Sequence, residues 1–141
     1  MIFGAVLAGG SGTRMGGGEK PKQYLNLGGK PVIIHTIERF CESPEFEKIL
    51  VLCPQNLIDY TKEIISAHLS DVRVDVIGGG LTRNETLLKA LEYIEENYGI
   101  NDDDIILTHD AVRPFVTRRI IEENIKYTFE YGACDTAVPA T

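Results

Sequence analysis

The 141-residue sequence contains no tryptophan, only three cysteines and no paired-cysteine motif. Cys41, Cys53 and Cys134 stand far apart, so we expect neither a disulfide framework nor a zinc site from them. Long apolar runs are missing as well, because the run at residues 2–8 is short, lacks basic residues before it and ends at glycines. We therefore expect no signal peptide and no membrane span, and we predict a cytoplasmic protein without a membrane partner.

Basic side chains are also scarce, with 14 Lys and Arg against 21 Asp and Glu and a net charge of −7. This balance excludes the broad basic face that nucleic-acid binding requires, so we expect no nucleic-acid partner. The charge is uneven, because residues 1–39 carry five basic and two acidic side chains while residues 40–141 carry nine and nineteen. A small basic region on an acidic chain favours a compact anionic ligand.

Apolar patterning predicts strands that alternate with helices along the chain. The predicted strands cover residues 2–8, 49–52, 72–77, 104–108 and 133–138, and the predicted helices cover residues 31–41, 56–69, 82–97 and 117–131. This alternation indicates right-handed crossovers and helices on both faces of a parallel sheet. We therefore predict an α/β fold, a Rossmann-like three-layer sandwich with a mostly parallel sheet. Ligands of such folds bind at the carboxyl ends of the strands, which here precede residues 9–23, 78–86 and 108–115.

The segment that follows the first strand, residues 9–23, combines six glycines with Arg14, Lys20 and Lys22. Glycines let backbone N–H groups approach phosphate oxygens, and three cations have little purpose in a merely flexible turn, so we predict an anion-binding loop. It is not a Walker A loop, because no lysine is followed by Ser or Thr. It is not a dinucleotide fingerprint either, because Met15 takes the third glycine position and no carboxylate ends the second strand.

The string LAGGSGTRMG followed by KPKQYL resembles the cytidylyltransferases that make CDP-alcohols, a family that includes the 2-C-methyl-D-erythritol 4-phosphate and D-ribitol-5-phosphate enzymes. Two later strings agree: GGLTRNET at residues 79–86 resembles the family's GGxxRxx[ST], and HDAVRP at residues 109–114 resembles its HDAxRP. The wider group of sugar and molybdopterin nucleotidyltransferases shares only the looser LAGGxSxRMGxxK pattern. The resemblance implies the nucleotide-diphospho-sugar transferase type of fold.

The resemblance also implies a role for each matching residue. Arg14 and Lys22 would be the catalytic residues that stabilise the transition state. Asp110 would bind the ribose or Mg²⁺, which prefers carboxylate and phosphate oxygens, and Arg113 would brace that segment. The other implied nucleotide contacts are Leu7, Ala8, Gly9, Gly10 and Gly12 through backbone, and Gly80, Leu81, Thr82, Arg83, Asn84, Glu85 and Thr86 for the cytosine base.

Taken singly, several of these residues have ordinary structural explanations. Thr82 can be the N-cap of the next helix, Asp110 a cap or turn residue, and Arg113 its ion-pair partner. His109 is expected to be structural or to support a residue of the site, because no nucleophile or metal partner is visible. Relatives often carry an acidic or polar residue where Leu81 stands, so only a backbone contact is expected there.

The implied reaction is cytidylyl transfer from CTP, with Mg²⁺, to a polyol phosphate, which yields a CDP-polyol and pyrophosphate without a covalent enzyme intermediate. The strings at residues 83–86 and 108–115 favour D-ribitol 5-phosphate as acceptor over 2-C-methyl-D-erythritol 4-phosphate. The alternatives are a CTP-binding piece without turnover and another sugar or molybdopterin nucleotidyltransferase. A flavodoxin-like domain is more distant, because it would not need cations in its glycine loop.

The last residues, 135–141, have the pattern of the middle of a strand and its exit. Members of the resembled family extend well beyond this point. We therefore expect residues 1–141 to be the nucleotide-binding portion of a single cytidylyltransferase domain, truncated at its C-terminus. The resemblance further implies that the full-length protein is a homodimer.

Overall fold

A computed structural model describes residues 1–10 and 20–140. Its strands are β1 (Ile2–Leu7), β2 (Asn26–Leu27), β3 (Lys30–Pro31), β4 (Lys48–Cys53), β5 (Val74–Gly78) and β6 (Ile105–Asp110). Its α-helices are α1 (Val32–Cys41), α2 (Ile58–His68), α3 (Arg83–Tyr98) and α4 (Arg118–Tyr131), and Lys22–Tyr24 and Gln55–Leu57 form 3₁₀ turns. Among these residues, no helix combines the length and the apolarity that crossing a bilayer requires.

Four strands form one parallel sheet in the order β5-β4-β1-β6, and β2 and β3 form a separate antiparallel pair. The central strand β1 ends at Leu7, which lies level with Leu52 of β4 on one side and with Asp110 of β6 on the other. On the far side of β4, Cys53 is in register with Gly78 of β5. The carboxyl ends of all four strands therefore meet at one edge of the sheet, where ligands of α/β folds bind.

Both faces of the sheet are covered. Along β1, Ile2 and Val6 belong to a core built with α1, α2 and α4, whereas Phe3 and Ala5 belong to a second core built with α3. Alternate residues thus enter opposite cores, and the strand is apolar throughout, as is typical of parallel sheets buried on both sides. The predicted three-layer α/β sandwich is confirmed.

Capping residues set the ends of the longer helices. The side chain of Thr82 accepts a hydrogen bond from the N–H of Glu85 while Glu85 reaches back to the Thr82 backbone, so the predicted N-cap of α3 is a complete capping box. Thr117 caps α4 as predicted, and Gly132 follows that helix in the left-handed conformation that favours glycine. Pro31, predicted as the first helical residue, instead ends β3 and precedes α1 as its N-cap.

The predicted strand at residues 133–138 is wrong. No sheet pairing includes this segment in the described part of the chain. Thr136 instead accepts a hydrogen bond from Nδ2 of Asn124 on α4 (2.6 Å), and Val138 is 86% exposed. Its β-type residues bury no apolar face here, and strand propensity reflects such packing more than any intrinsic backbone preference.

Candidate active site

A cavity of about 260 Å³ lies at the carboxyl edge of the sheet. It joins the end of β1, the turn before α3 and the end of β6, which are far apart in sequence. Residues that line it are Leu7, Gly9, Gly10, Gly80, Leu81, Thr82, Arg83, Thr86 and Asp110. Strand register explains this meeting, because Leu7 pairs with Asp110 and the N–H of Gly79 donates to the carbonyl of Cys53 at the end of β4 (2.7 Å).

Most of the predicted nucleotide-binding residues therefore surround one cavity, but several lie elsewhere. Ala8 is buried, and Asn84 and Glu85 lie in the first turn of α3 without lining the cavity. Arg113 lines an adjacent cavity of about 820 Å³, which also contains Arg83 and Asp110. Lys22 is exposed and does not line the smaller cavity. Gly12 and Arg14 lie outside the described residues.

The N–H groups of the turn before α3 already have partners within the protein. The donor–acceptor pairs are Gly79 to the Cys53 carbonyl (2.7 Å), Gly80 to Thr86 Oγ1 (3.0 Å), and Leu81 and Thr82 to Glu85 Oε2 (2.7 and 3.3 Å). A backbone amide has one hydrogen to donate, so these four are committed. What the backbone of residues 79–82 can offer to a ligand is therefore carbonyl oxygen, a hydrogen-bond acceptor.

Thr86 and Gly80 shape this turn. The Thr86 hydroxyl accepts from Gly80 and donates to the carbonyl of Thr82 (2.8 Å), and its residue is only 4% exposed. At Gly80, an added Cβ would lie 2.3 Å from Cβ of Glu85, so only glycine fits against the start of α3. The Thr86 hydroxyl, predicted to face the base, is thus engaged inside the turn and fixes the turn's shape.

Asp110 lies between two guanidinium groups. Arg83 Nη1 donates to Oδ1 (2.5 Å) and Arg113 Nε donates to Oδ2 (3.1 Å), which confirms the ion-pair explanation of Arg113. Partial burial raises the pKa of Asp110, but the hydrogen bond from Arg83 and the two positive charges outweigh it, so the pKa lies below its ordinary value. The cluster of one carboxylate and two guanidiniums carries a surplus positive charge.

The turn that carries Asp110 is fixed from two sides. His109 Nε2 contacts the carbonyl of Arg113 at 2.9 Å, so this nitrogen is the donor and the ring has a structural role, as expected. Thr36 on α1 donates from Oγ1 to the carbonyl of Ala111 (2.7 Å), and the Ala111 N–H donates to Leu7 (2.9 Å). Asp110 is therefore held at a set position against β1.

Two residues that the sequence analysis did not single out contact the site. Gln23, which is only 2% exposed, donates from Nε2 to the carbonyls of Ala8 (2.8 Å) and Gly10 (3.0 Å) at the end of β1. Lys89 on α3 donates from Nζ to the carbonyl of Gly79 (3.2 Å). The signal for Gln23 was its place directly after Lys22 in the matching string, whereas Lys89 had none, because helix α3 alone brings it to the turn.

The described residues contain no group of three or more His, Cys, Asp or Glu side chains that could hold a metal ion. Asp110 is the one carboxylate among the described residues that line the smaller cavity. Mg²⁺ in nucleotide sites usually takes one or two carboxylates together with phosphate oxygens and water. This donor set therefore fits a Mg²⁺ that arrives with a triphosphate, provided that Asp110 gives up one arginine contact to bind it.

Known proteins resemble this chain over nearly its whole length. Residues 2–141 match the family model described as IspD, 2-C-methyl-D-erythritol 4-phosphate cytidylyltransferase. Over 140 residues the chain is 52% identical to a ribitol-5-phosphate cytidylyltransferase of Lactiplantibacillus plantarum, and the match covers 99% of this chain and 60% of that protein. The chain thus spans about 60% of the length of this relative.

Solved structures show the same fold. The 2-C-methyl-D-erythritol 4-phosphate cytidylyltransferase of Francisella tularensis is 29% identical, with a TM-score of 0.68 over 90% of this chain and 51% of that one. The 4-diphosphocytidyl-2C-methyl-D-erythritol synthase of Anaerococcus prevotii is 24% identical, with a TM-score of 0.70 over 92% of this chain and 51% of that one. At the lower identity the likeness shows the fold alone.

Proposed function

The chain belongs to the IspD family, 2-C-methyl-D-erythritol 4-phosphate cytidylyltransferases. From this premise we propose that it binds CTP at the carboxyl edge of its sheet and takes part in the transfer of the cytidylyl group to a polyol phosphate. The cavity of about 260 Å³ takes the nucleoside, with the base against the turn before α3 and the ribose near Asp110. Leu7, Gly9 and Gly10 lie along its other wall.

The observation that carries this proposal is that the four backbone amides of the turn before α3 already donate hydrogen bonds within the protein. Because the amides of residues 79–82 are already used within the protein, the backbone of this turn offers carbonyl oxygens, which suit a base edge that donates hydrogen bonds. The exocyclic amino group of cytosine is such a donor, whereas uracil presents an acceptor oxygen at the same position. Uracil would place two acceptors against each other, so the turn favours CTP over UTP.

In the proposed reaction, an oxygen of the acceptor phosphate bonds to the α-phosphorus of CTP. The bond from the α-phosphorus to the oxygen bridging to the β-phosphate breaks, and pyrophosphate leaves with that oxygen. Two anions must meet, so the protein's task is positioning and charge stabilisation. Lys22, with Arg14, stabilises the transition state, and the surplus charge beside Asp110 attracts the phosphates. Mg²⁺, held by Asp110 and phosphate oxygens, would offset the charge of the departing pyrophosphate.

The favoured acceptor is D-ribitol 5-phosphate. The supporting observation is the 52% identity to a protein named for this substrate, against 29% for the Francisella tularensis enzyme named for 2-C-methyl-D-erythritol 4-phosphate. A cytoplasmic location and a homodimer stay predictions.

Pyrophosphate release tests the proposal, with CTP or UTP and with either polyol phosphate. We expect kcat/KM for CTP to exceed that for UTP by about 10- to 100-fold, the effect of one or two mismatched hydrogen bonds. Equal use of UTP would overturn the proposed base recognition, and a preference for the methylerythritol substrate would overturn the favoured acceptor. CTP binding by calorimetry without pyrophosphate release would favour the alternative of a CTP-binding piece.

A pair of variants isolates the turn. Thr86→Val removes the acceptor of the Gly80 N–H and so adds a donor to the turn, whereas Thr86→Ser keeps the hydroxyl. The preference for CTP over UTP should shrink in Thr86→Val and persist in Thr86→Ser. An unchanged preference in Thr86→Val would mean that the committed amides do not select the base.

A further inference from the structure

We infer that Gln23 is a positioning residue for cytidylyl transfer, because its buried amide holds Lys22 in register with the backbone at the end of β1. This inference rests on the proposed function and adds a residue that none of the predicted roles included. Gln23 neither lines the nucleotide cavity nor carries a charge, so it acts through its neighbour Lys22.

Both hydrogens of the Gln23 amide nitrogen are used on backbone carbonyls. Nε2 lies 2.8 Å from the oxygen of Ala8 and 3.0 Å from the oxygen of Gly10, and the residue is 2% exposed. A buried primary amide that donates to two carbonyls two residues apart fixes both its own position and the path of the chain it contacts. Gln23 therefore joins the turn of Lys22 to the segment that leaves β1.

The neighbour on the other side, Tyr24, is also anchored. Its hydroxyl lies 2.7 Å from Oγ1 of Thr61 on α2, and burial raises the pKa of Tyr24 to about 12, so the phenol stays protonated. The 3₁₀ turn closes with the N–H of Tyr24 on the carbonyl of Pro21 (3.0 Å) and the N–H of Leu25 on that of Lys22 (3.1 Å). Lys22 thus projects from a turn whose next two side chains are both buried and hydrogen-bonded.

Each side of the Gln23 contact is also held separately. The end of β1 has bonds from the Ala8 N–H to Leu52 (2.7 Å) and from the Ala111 N–H to Leu7 (2.9 Å), and the turn of Lys22 has the contact of Tyr24 with Thr61 (2.7 Å). Loss of the Gln23 amide should therefore change the position of Lys22 relative to the end of β1, while the backbone at Leu7 and Ala8 stays in place. Because a displacement of about 1 Å can cost about 100-fold in rate, kcat should fall while the KM for CTP changes little.

The test substitutes Gln23→Met, which keeps the length of the side chain and removes its donors. Arg73→Met is the matched control, because Arg73 also donates to two backbone carbonyls, those of Cys41 and Ser43 (both 2.8 Å), but lies at the opposite edge of the sheet. Steady-state kinetics with CTP, thermal unfolding and amide hydrogen exchange of Tyr24 and Leu25 are measured for each variant. Should Gln23→Met not fold, Gln23→Asn retains an amide that is too short to span both carbonyls.

We expect Gln23→Met to lower kcat by about 10- to 100-fold with the KM for CTP within about 3-fold of wild type, and to speed exchange at Tyr24 and Leu25. Arg73→Met should lower the unfolding temperature and leave kcat unchanged. An unaltered kcat in Gln23→Met, or an equal kcat loss in Arg73→Met, would overturn the inference. If the wild type releases no pyrophosphate, the proposed function fails instead. Amide hydrogen exchange then tests Gln23 without kinetics, because unchanged exchange at Tyr24 and Leu25 in Gln23→Met overturns the role of Gln23 in holding the turn.

Discussion

Two arginine-bound carboxylates lie at opposite edges of the sheet and differ in the net charge of the group that each forms with its arginines. Asp71 precedes β5 at the amino edge, and Arg73 contacts both its oxygens, with Nε at 3.0 Å and Nη2 at 2.7 Å. Asp110 ends β6 at the carboxyl edge, where Arg83 and Arg113 each take one oxygen. The first group contains one negative and one positive charge, whereas the second contains one negative and two positive charges.

The difference separates a structural contact from one suited to a ligand. Arg73 also donates from its two terminal nitrogens to the carbonyls of Cys41 and Ser43, and its side chain is 24% exposed. Arg83 and Arg113 are 56% and 73% exposed, so water and anions reach them. At the amino edge the charges cancel, and the remaining contacts of Arg73 join the segment before β5 to the end of α1. At the carboxyl edge a positive charge remains beside the glycine-rich end of β1, where a triphosphate would use it.

The largest effect expected at the carboxyl edge comes from a cation outside the Asp110 cluster. Lys22→Ala should lower kcat by about 100-fold or more, the usual scale for one transition-state charge contact. Lys30→Ala is the control, because Lys30 forms an ion pair with Glu38 a few residues away and does not line the cavity. Pyrophosphate release at saturating CTP measures both. A turnover near wild type in Lys22→Ala would remove Lys22 from the proposed mechanism.

Identical substitutions at the two carboxylates should give opposite results. Asp110→Asn should lower kcat/KM for CTP by about 10- to 100-fold, the range for losing a hydrogen bond to a charged group, and should change stability by less than about 1 kcal/mol because its partners are exposed. Asp71→Asn should leave kcat/KM unchanged and lower the free energy of unfolding by about 1–3 kcal/mol. Steady-state kinetics and urea unfolding of both variants make the comparison.

The outcome that would contradict this comparison is equally specific. If Asp110→Asn lowered stability as much as Asp71→Asn and kept full activity, both carboxylates would be structural. Asp110 would then have no role in binding the ribose or Mg²⁺. If Asp71→Asn alone lost activity, the amino edge would contribute to the site, and the proposed division between the edges would be wrong.

Local patterns predicted most of the fold. Apolar runs located β1 and β4. The N-caps Thr82 and Thr117 could also be predicted, because each side-chain oxygen accepts from an amide only three residues later and so depends on local sequence alone. The prediction of a strand at residues 133–138 was wrong, because a strand needs a pairing partner, which a local sequence pattern cannot supply.

The site was predictable as a set of strings but not as a set of contacts. The pairing of Arg83 with Asp110 joins positions 27 residues apart, so it follows from sheet register and not from spacing. The engagement of the Thr86 hydroxyl inside the turn likewise depends on the approach of Gly80 to α3. Gln23 looked like an ordinary polar neighbour of Lys22, because burial of its amide is a property of the folded chain.

The smallest expected effect is the pH dependence that Asp71 contributes to stability. The hydrogen bond from Arg73 lowers the pKa of Asp71 from 3.8 to about 2, against the raising effect of partial burial. The unfolded chain therefore binds this proton at higher pH than the folded chain does, so the stabilisation is present above about pH 4 and is lost as the pH falls to about 2. Because Asp71→Asn lacks the titrating group, its urea midpoint should lie below that of wild type near pH 5, and the gap should narrow as acid is added. All other carboxylates are the same in both proteins, so a constant gap down to about pH 2 would mean that the Asp71–Arg73 pair does not couple protonation to folding.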